Sequence, residues 1–423
     1  MTKHTFQFSK DFILMMIGQI ISLFGNQILR FTLPLYLLNQ TGSSALFGTI
    51  SAISFLPMIL LFPIGGILAD RVNKRNIMVI LDFGTSVLVL LFLLMINSDN
   101  MVLLISVAML VLYAIQGSYQ PAVQASIPAL VEPESMIAAN SIVDMISSLA
   151  NMLGPVLGGL LYAFVGLSPI LYVSVICFFV SAVLELFIHI PFQKRERGEN
   201  IIMSSICDMK ESLYFLTIQK PILLKIAISY GMISLFLCSL FNIALPVLFT
   251  QDLGLSENVA NRLYGYSQGA IAIGSVLGGV FTGTLSHKLK AHRIPYTMIG
   301  CGLCILVGGI ALKTVASPMG VFLILTISCS ILMILSTLFQ IQMMSYVQIL
   351  TSDDLIGKVM SCVICICMFS NPIGQFFYGI IFEHIGAYSY IVFCIAALIV
   401  IIMAIFYRKL FLMVEEELKG INY

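Results

Sequence analysis

The feature that most constrains this chain is a succession of about twelve unbroken apolar runs, each long enough to cross a bilayer as a helix of about 20 residues. They fall near residues 12–38, 44–70, 76–96, 101–128, 136–164, 168–190, 221–250, 260–286, 294–313, 318–350, 355–383 and 388–409. Membrane-spanning strands would read as shorter segments of alternating polarity, whereas these runs are continuous and rich in Leu, Ile and Met, which argues against a closed barrel. The 423-residue chain is 59% hydrophobic and only 10% charged, leaving too little polar surface for a soluble fold. A net charge of +1 gives no footprint for nucleic acid or for an acidic partner. The expectation is an all-α integral membrane protein.

The basic residues set an orientation. With the N-terminus in the cytoplasm, the inner loops receive Arg71, Lys74, Arg75, Lys194, Arg195, Arg197, Lys210, Lys220, Lys288, Lys290, Arg293, Lys358, Arg408, Lys409 and Lys419, and only Arg262 and Lys313 fall outside. This is the positive-inside pattern, and it predicts both termini on the cytoplasmic side of the cell membrane. The run after Lys3 and Lys10 lacks a small-residue cleavage site and reads as a retained first helix. The ten cysteines lie mostly inside apolar runs, where they act as small hydrophobes and not as a disulfide framework.

One long polar interruption, Gln193 to Lys220, divides the chain almost equally. It predicts a six-helix N-terminal half at 1–191, a cytoplasmic linker at 192–220 and a six-helix C-terminal half at 221–423. The halves echo each other. Gly65-Gly66 followed by Arg71, Lys74 and Arg75 returns as Gly278-Gly279 followed by Lys288 and Lys290, and Ile127 to Ser141 returns as Val347 to Ser361. Such echoes are the mark of parallel-repeat transporter architecture.

The most specific stretch is Gly66-Ile67-Leu68-Ala69-Asp70-Arg71-Val72-Asn73-Lys74-Arg75, between the second and third runs. Its glycines let helices approach, its aspartate can cap or pair at the membrane edge, and its basic cluster holds the loop inside. It resembles the loop signature of the major facilitator superfamily. That resemblance implies the twelve-helix fold in two pseudo-symmetric halves and makes Gly66, Asp70, Arg71, Lys74 and Arg75 gate residues. Asn73 departs from the family's usual glycine, and Gly283 replaces the acid in the second copy. Gly154-Pro155-Val156-Leu157-Gly158-Gly159 in the fifth run resembles the antiporter signature of the same superfamily, with Gly154, Pro155, Gly158 and Gly159 bending and seating a helix. Together with Ser126 to Glu134, span order most resembles the branch that holds bacterial macrolide-efflux proteins, which implies export by antiport.

Polar residues recur at helical spacing inside several runs. Gln19, Ser22, Asn26 and Arg30 share a face of the first, and Tyr113, Gln116, Gln120 and Gln124 a face of the fourth. Tyr230, Ser234 and Asn242, then Gln340, then Asn371 and Gln375 extend the set. Unpaired polar groups are costly in hydrocarbon, so these face either water or one another. In the superfamily the first, fourth, seventh and tenth helices line the substrate cavity, which makes these residues substrate-cavity candidates; hydrogen-bond glue between helices is the competing role. Arg30 stands deep in its span and needs water, a distant carboxylate such as Glu383, or an anionic ligand group.

Three acids lie clearly inside spans: Asp82, Asp144 and Glu185. A proton-coupling acid must be desolvated enough to hold a proton near neutral pH and must meet water alternately from two sides. Asp144 is the favoured candidate, about 12 Å inside the fifth span by the helical rise, with pairing to Arg71 as a gate residue its rival role.

Enzyme chemistry finds no foothold. Cys362, Cys365 and Cys367 are closely spaced without a histidine partner, His287 and His292 read as loop residues, and no Gly-x-x-x-x-Gly-Lys sequence is present. No metal, no cofactor and no nucleotide hydrolysis is therefore expected. The predicted function is secondary active export of amphipathic small molecules, drug-like or macrolide-like, by proton antiport with the two halves rocking, the monomer being favoured. An exporter of an endogenous metabolite, siderophore or lipid shares the architecture, and a non-transporting membrane receptor is the alternative of a different class.

Overall fold

The computed structural model describes residues 8–96, 100–132, 135–191, 214–285, 291–351 and 355–421. Among them every regular element is helical. The long helices are α1 (Lys10–Thr41), α2 (Ser44–Arg71), α3 (Lys74–Met95), α4 (Met101–Leu130), α5 (Met136–Val165), α6 (Leu167–Leu186), α7 (Pro221–Asp252), α8 (Glu257–Leu285), α9 (Ile294–Thr314), α10 (Pro318–Leu350), α11 (Ile356–Ile385) and α12 (Ser389–Ile421). Eleven are long and apolar enough to cross a membrane. The exception is α8, whose glycines, serines and threonines dilute its apolar character. Large hydrophobic side chains such as Leu94, Phe164, Ile176, Ile273 and Phe406 are exposed around the bundles, as a hydrocarbon solvent requires.

The expected runs match these helices closely, with one exception at each end of the second half. Most of the linker lies in residues 192–213, outside the described residues, as do His287, Lys288 and Lys290. The last helix continues beyond residue 409 to Ile421. Its charged end reads in the sequence as a tail, but Glu417 pairs with Lys220 at 3.1 Å and Glu415 accepts from the backbone N–H of His292 at 3.0 Å. His292 is thus anchored through its backbone and, at 2.5 Å, its ring, instead of being a free loop residue.

The chain forms two compact units, residues 1–41 with 53–198, and residues 42–52 with 199–423. Within the first, α1 packs on α5 and α6, and α3 on α4 and α6; within the second, α7 packs on α11, and α9 on α10 and α12. The pairing scheme repeats with an offset of six helices. The paired glycines repeat it in atomic detail. A Cβ on Gly65 would meet the α4 backbone at Ser118 at 2.8 Å, and one on Gly278 would meet the α10 backbone at Ile334 at 2.8 Å, while Gly66 and Gly279 face open space. The same first-glycine seat therefore lets α2 approach α4 and α8 approach α10. Between α5 and α6 the whole connection is Gly166, whose φ of 75° only glycine adopts without strain.

The start of α2, grouped with the second unit, is held by α11. Glu383 accepts from the Ser43 and Ser44 hydroxyls at 3.1 and 3.2 Å and from the Ala45 N–H at 3.1 Å. A carboxylate at a helix N-terminus answers free amides and the helix dipole together. Glu383 is occupied as a helix cap and is not the partner of Arg30 that the sequence allows.

Candidate functional site

The polar stripe of α1 is real, but it faces inward. Gln19, Ser22 and Asn26 are 0%, 6% and 4% exposed, buried within the first unit where α1 meets α4 and α6. There Ser22 donates to Asp82 of α3 at 2.8 Å, with Ser181 of α6 beside the same carboxyl. Tyr119 of α4 donates to Glu185 of α6 at 2.6 Å. Gly18 makes room, because a Cβ there would stand 3.4 Å from both Glu185 Cγ and Ser181 Oγ, and Ser181 donates to the Gly18 carbonyl at 2.9 Å. Asp82 and Glu185 are 1% and 0% exposed and within electrostatic reach of each other.

This cluster is incompletely satisfied. Asp82 Oδ2, Glu185 Oε2 and both amide atoms of Gln19 are buried with no hydrogen-bond partner. Neither acid has a cation within ion-pair distance among the described residues. A second carboxylate without a cation is among the costliest groups to bury. Tyr119 and Ser181 escaped the sequence reading because both look like ordinary packing residues; the polar triplet Ser118-Tyr119-Gln120 was the available signal.

Asp144 is placed otherwise. It is exposed on α5, so the criterion of desolvation that made it the favoured coupling acid points to Asp82 and Glu185 instead. The helix turns its side chain out of the core.

Toward the middle of α1, the Arg30 guanidinium lies 3.6 Å from the ring centroid of Tyr113 and 5.9 Å from that of Phe55, two rings themselves 4.8 Å apart. Its Nε is buried without an acceptor, and no carboxylate pairs with it among the described residues. Cation–π contact is worth about 0.5–2 kcal/mol, whereas an arginine at the centre of a spanning helix costs about 2.5–3.5 kcal/mol. Arg30 is half-buried, and the ring faces do not answer its N–H groups as an acceptor would. Elsewhere on α1 and α4, Asn26 Oδ1 and Gln120 Oε1 are also buried without partners, although Gln120 donates to Ser147 at 3.4 Å. Gln116 is half-buried and Gln124 exposed on α4.

The Gly154-Pro155 motif seats α5 against α1 beside this arginine. A Cβ on Gly154 would run into Gln27, and one on Gly158 would stand 3.1 Å from Phe31 and 3.2 Å from Thr32. Gln27 also donates to Asn151, so the motif fixes the α1–α5 contact over a full turn, with Gly159 buried alongside.

At the α2–α3 turn, Asn73 accepts from the Arg75 N–H at 3.1 Å and caps α3, which explains an asparagine at the position where the resembling motif has glycine. The Arg75 guanidinium donates to the Leu186 carbonyl at the end of α6, a favourable place for a cation. Arg71 is exposed and Lys74 half-buried, and the Asp70 side chain lies outside what is described.

In the second unit the candidates divide. Asn371 and Gln375 are bonded to each other at 2.8 Å, and Ser239 of α7 donates to the Asn371 carbonyl at 2.8 Å, so this pair ties α11 to α7. Asn242 is exposed and lines, with Gln268, Leu237, Phe241, Cys329 and Met333, a cavity of about 90 Å³. Tyr230 is half-buried against Phe339, and Gln340 is exposed.

Two repeated helical units, with eleven described helices long and apolar enough to cross a membrane, define a multi-pass membrane protein. The sequence profile of the Major Facilitator Superfamily matches residues 15–369. The chain belongs to the Major Facilitator Superfamily. It is 21% identical over 374 residues to macrolide efflux protein A of Streptococcus pyogenes, spanning 87% of this chain and 88% of that protein. An MFS-type transporter of Bacillus subtilis (strain 168) is 26% identical over 226 residues, 53% of each chain. Among solved structures, a bacterial homologue of the human lysosomal transporter Spinster superposes with a TM-score of 0.70 at 14% identity over 98% of this chain and 99% of its own. A bacterial homologue of the iron transporter ferroportin also gives 0.70, at 17% identity over 94% and 98%. These likenesses establish the fold; small-molecule transport across a membrane is the superfamily's business.

Proposed function

We propose that this protein is a secondary active exporter of amphipathic small molecules in the cell membrane, with both termini cytoplasmic and proton antiport supplying the energy. Support for export comes from the similarity to macrolide efflux protein A and from the antiporter-like Gly154–Gly159 motif seated on α1. The basic residues of the inner loops support the orientation.

The single observation that carries proton coupling is the buried pair Asp82 and Glu185, each with one carboxylate oxygen unpartnered and no cation alongside. Acids held inside membrane spans without a cation are the usual members of proton relays. The pair is bonded to α1 through Ser22 and to α4 through Tyr119. A change of protonation there would alter contacts of the helices that carry Arg30 and Tyr113, which gives proton binding a route to the transport cycle.

Reconstituted vesicles test this. Asp82→Asn and Glu185→Gln should abolish substrate-driven proton movement while substrate exchange without a gradient continues. Asp144→Asn should retain both. Loss of coupling in Asp144→Asn alone would return the role to Asp144.

A further inference from the structure

Arg30 is a permanent cation of the first unit, and among the described residues no carboxylate pairs with it. Arg30 stands 11 residues before the end of α1 at Thr41, about 16 Å along the helix by its rise. The other carboxylates described in this unit's spans have their own places. Asp82 takes the Ser22 hydroxyl, Glu185 takes the Tyr119 hydroxyl, Asp11 accepts from the His189 N–H at 3.0 Å, and Asp144 is exposed on α5 with no ion pair. Arginine does not relieve burial by losing its proton. The Tyr113 and Phe55 faces cover one side of the guanidinium, and a ring face cannot accept the in-plane N–H bonds that a guanidinium directs outward as a fork.

We infer that Arg30 is an anion-binding residue, and that the ligand it takes is an amphiphile carrying a carboxylate or phosphate group. The inference rests on the export reading for its biological setting but not for its test. A flat guanidinium backed by Tyr113 presents its free edge to an oxyanion in bidentate geometry, and the aromatic backing holds that edge in one plane. One turn back on the same face of α1, the unpartnered Asn26 Oδ1 is an acceptor that suits a hydroxyl or amide donor beside the acid group. A cationic amphiphile would instead meet uncompensated positive charge, and the selectivity is therefore for anions over amines of equal chain length.

The test is equilibrium binding to the full chain in nanodiscs of neutral phosphatidylcholine, with empty discs as background, using labelled octanoate, octyl phosphate and octylamine. Saturable binding of the two anions and none of the amine is expected. Arg30→Gln should weaken anion binding about tenfold or more, with Arg30→Lys intermediate because it keeps the charge and loses the fork. Preference of the wild-type chain for octylamine, or absence of saturable anion binding, would overturn the inference without any variant being made. So would unchanged anion affinity in Arg30→Gln that elutes as a folded, monodisperse protein. Repeating the assay with phosphatidylglycerol in the discs separates the sources of the oxyanion: suppression of octanoate binding would assign the site to a lipid headgroup and overturn its assignment to a transported ligand. If the anions bind as expected but no compound crosses vesicle membranes, the export reading fails and the anion site stands.

Discussion

Helices α1 and α7 hold matching places in the two units, one packed on α5 and the other on α11, yet they are built differently. The first is one continuous α-helix of 32 residues whose only charge between Asp11 and its end is Arg30. The second has no charge between Lys225 and Asp252 and is widened into π-turns at Ser234–Cys238 and Leu248–Asp252. Charged chemistry is concentrated in the first unit, with Asp82, Glu185 and Arg30. The second answers with irregular backbone and a small apolar cavity beside it. Wide turns of this kind interrupt the regular ladder, so the two units share a packing scheme and differ in where charge and irregular backbone sit.

The shared part of that scheme is where substitutions should do most damage. Gly278→Val drives a side chain into the α10 backbone at Ile334, and Gly65→Val does the same to α4 at Ser118. Each should cost about 1–3 kcal/mol or more and sharply reduce folded protein recovered by size-exclusion chromatography. Gly279→Val and Gly66→Val enter open space and should stay within about 0.5 kcal/mol of the parent. Equal damage from both members of a pair would break the comparison. A Gly66→Val protein that is stable but transports poorly would place the family's gate role on that glycine.

A smaller effect separates the units. Tyr119→Phe removes the 2.6 Å bond to Glu185 and leaves a fully buried carboxylate with one partner fewer. Hydrogen bonds between membrane helices average about 0.6 kcal/mol and reach about 1.7 kcal/mol, and this one should lie at the upper end because its acceptor is an acid inside the core. Thermal unfolding in detergent measures it. If the exchange activity falls in step with coupling, Tyr119 positions the bundle and not the acid.

The span pattern was legible because hydrophobic run length is a direct consequence of bilayer thickness, and run limits and helix ends agree within a few residues over most of the chain. Helix α12 is the instructive exception. Charges after residue 407 stop a hydropathy pattern but do not stop a helix when Glu415 and Glu417 find His292 and Lys220. The α1 stripe was legible as a stripe, but its direction was not, since Gln19 and Ser22 share a face whether the neighbour is a cavity or Asp82. Only the partner helix decides, and Tyr119 gives no periodic signal. The π-turns of α7 leave no trace in a run of apolar residues; the first of them meets Gly374 and Tyr378 of α11, more than a hundred positions away.

That dependence yields the smallest and most local prediction. In the π-turn the Leu235 carbonyl would lie 2.5 Å from a Cβ on Gly374, so α11 comes against the α7 backbone there. One residue on, the Tyr378 hydroxyl donates to the Phe236 carbonyl at 3.0 Å. A donor from a neighbouring helix answers a backbone carbonyl in an irregular turn, where water is absent. Tyr378→Phe keeps the ring and removes only that donor, so its cost should be near the membrane average of about 0.6 kcal/mol. The consequence lies in hydrogen exchange more than in melting. With its carbonyl unanswered the wide turn loses a reason to persist, and the amides of residues 234–242 should change their exchange rates while those of α1 remain as in the parent. Unchanged exchange in that segment would mean that the turn is held by Gly374 and Ser239 packing alone, and the contrast between a regular α1 and a π-widened α7 would then rest on backbone fit and not on hydrogen bonding.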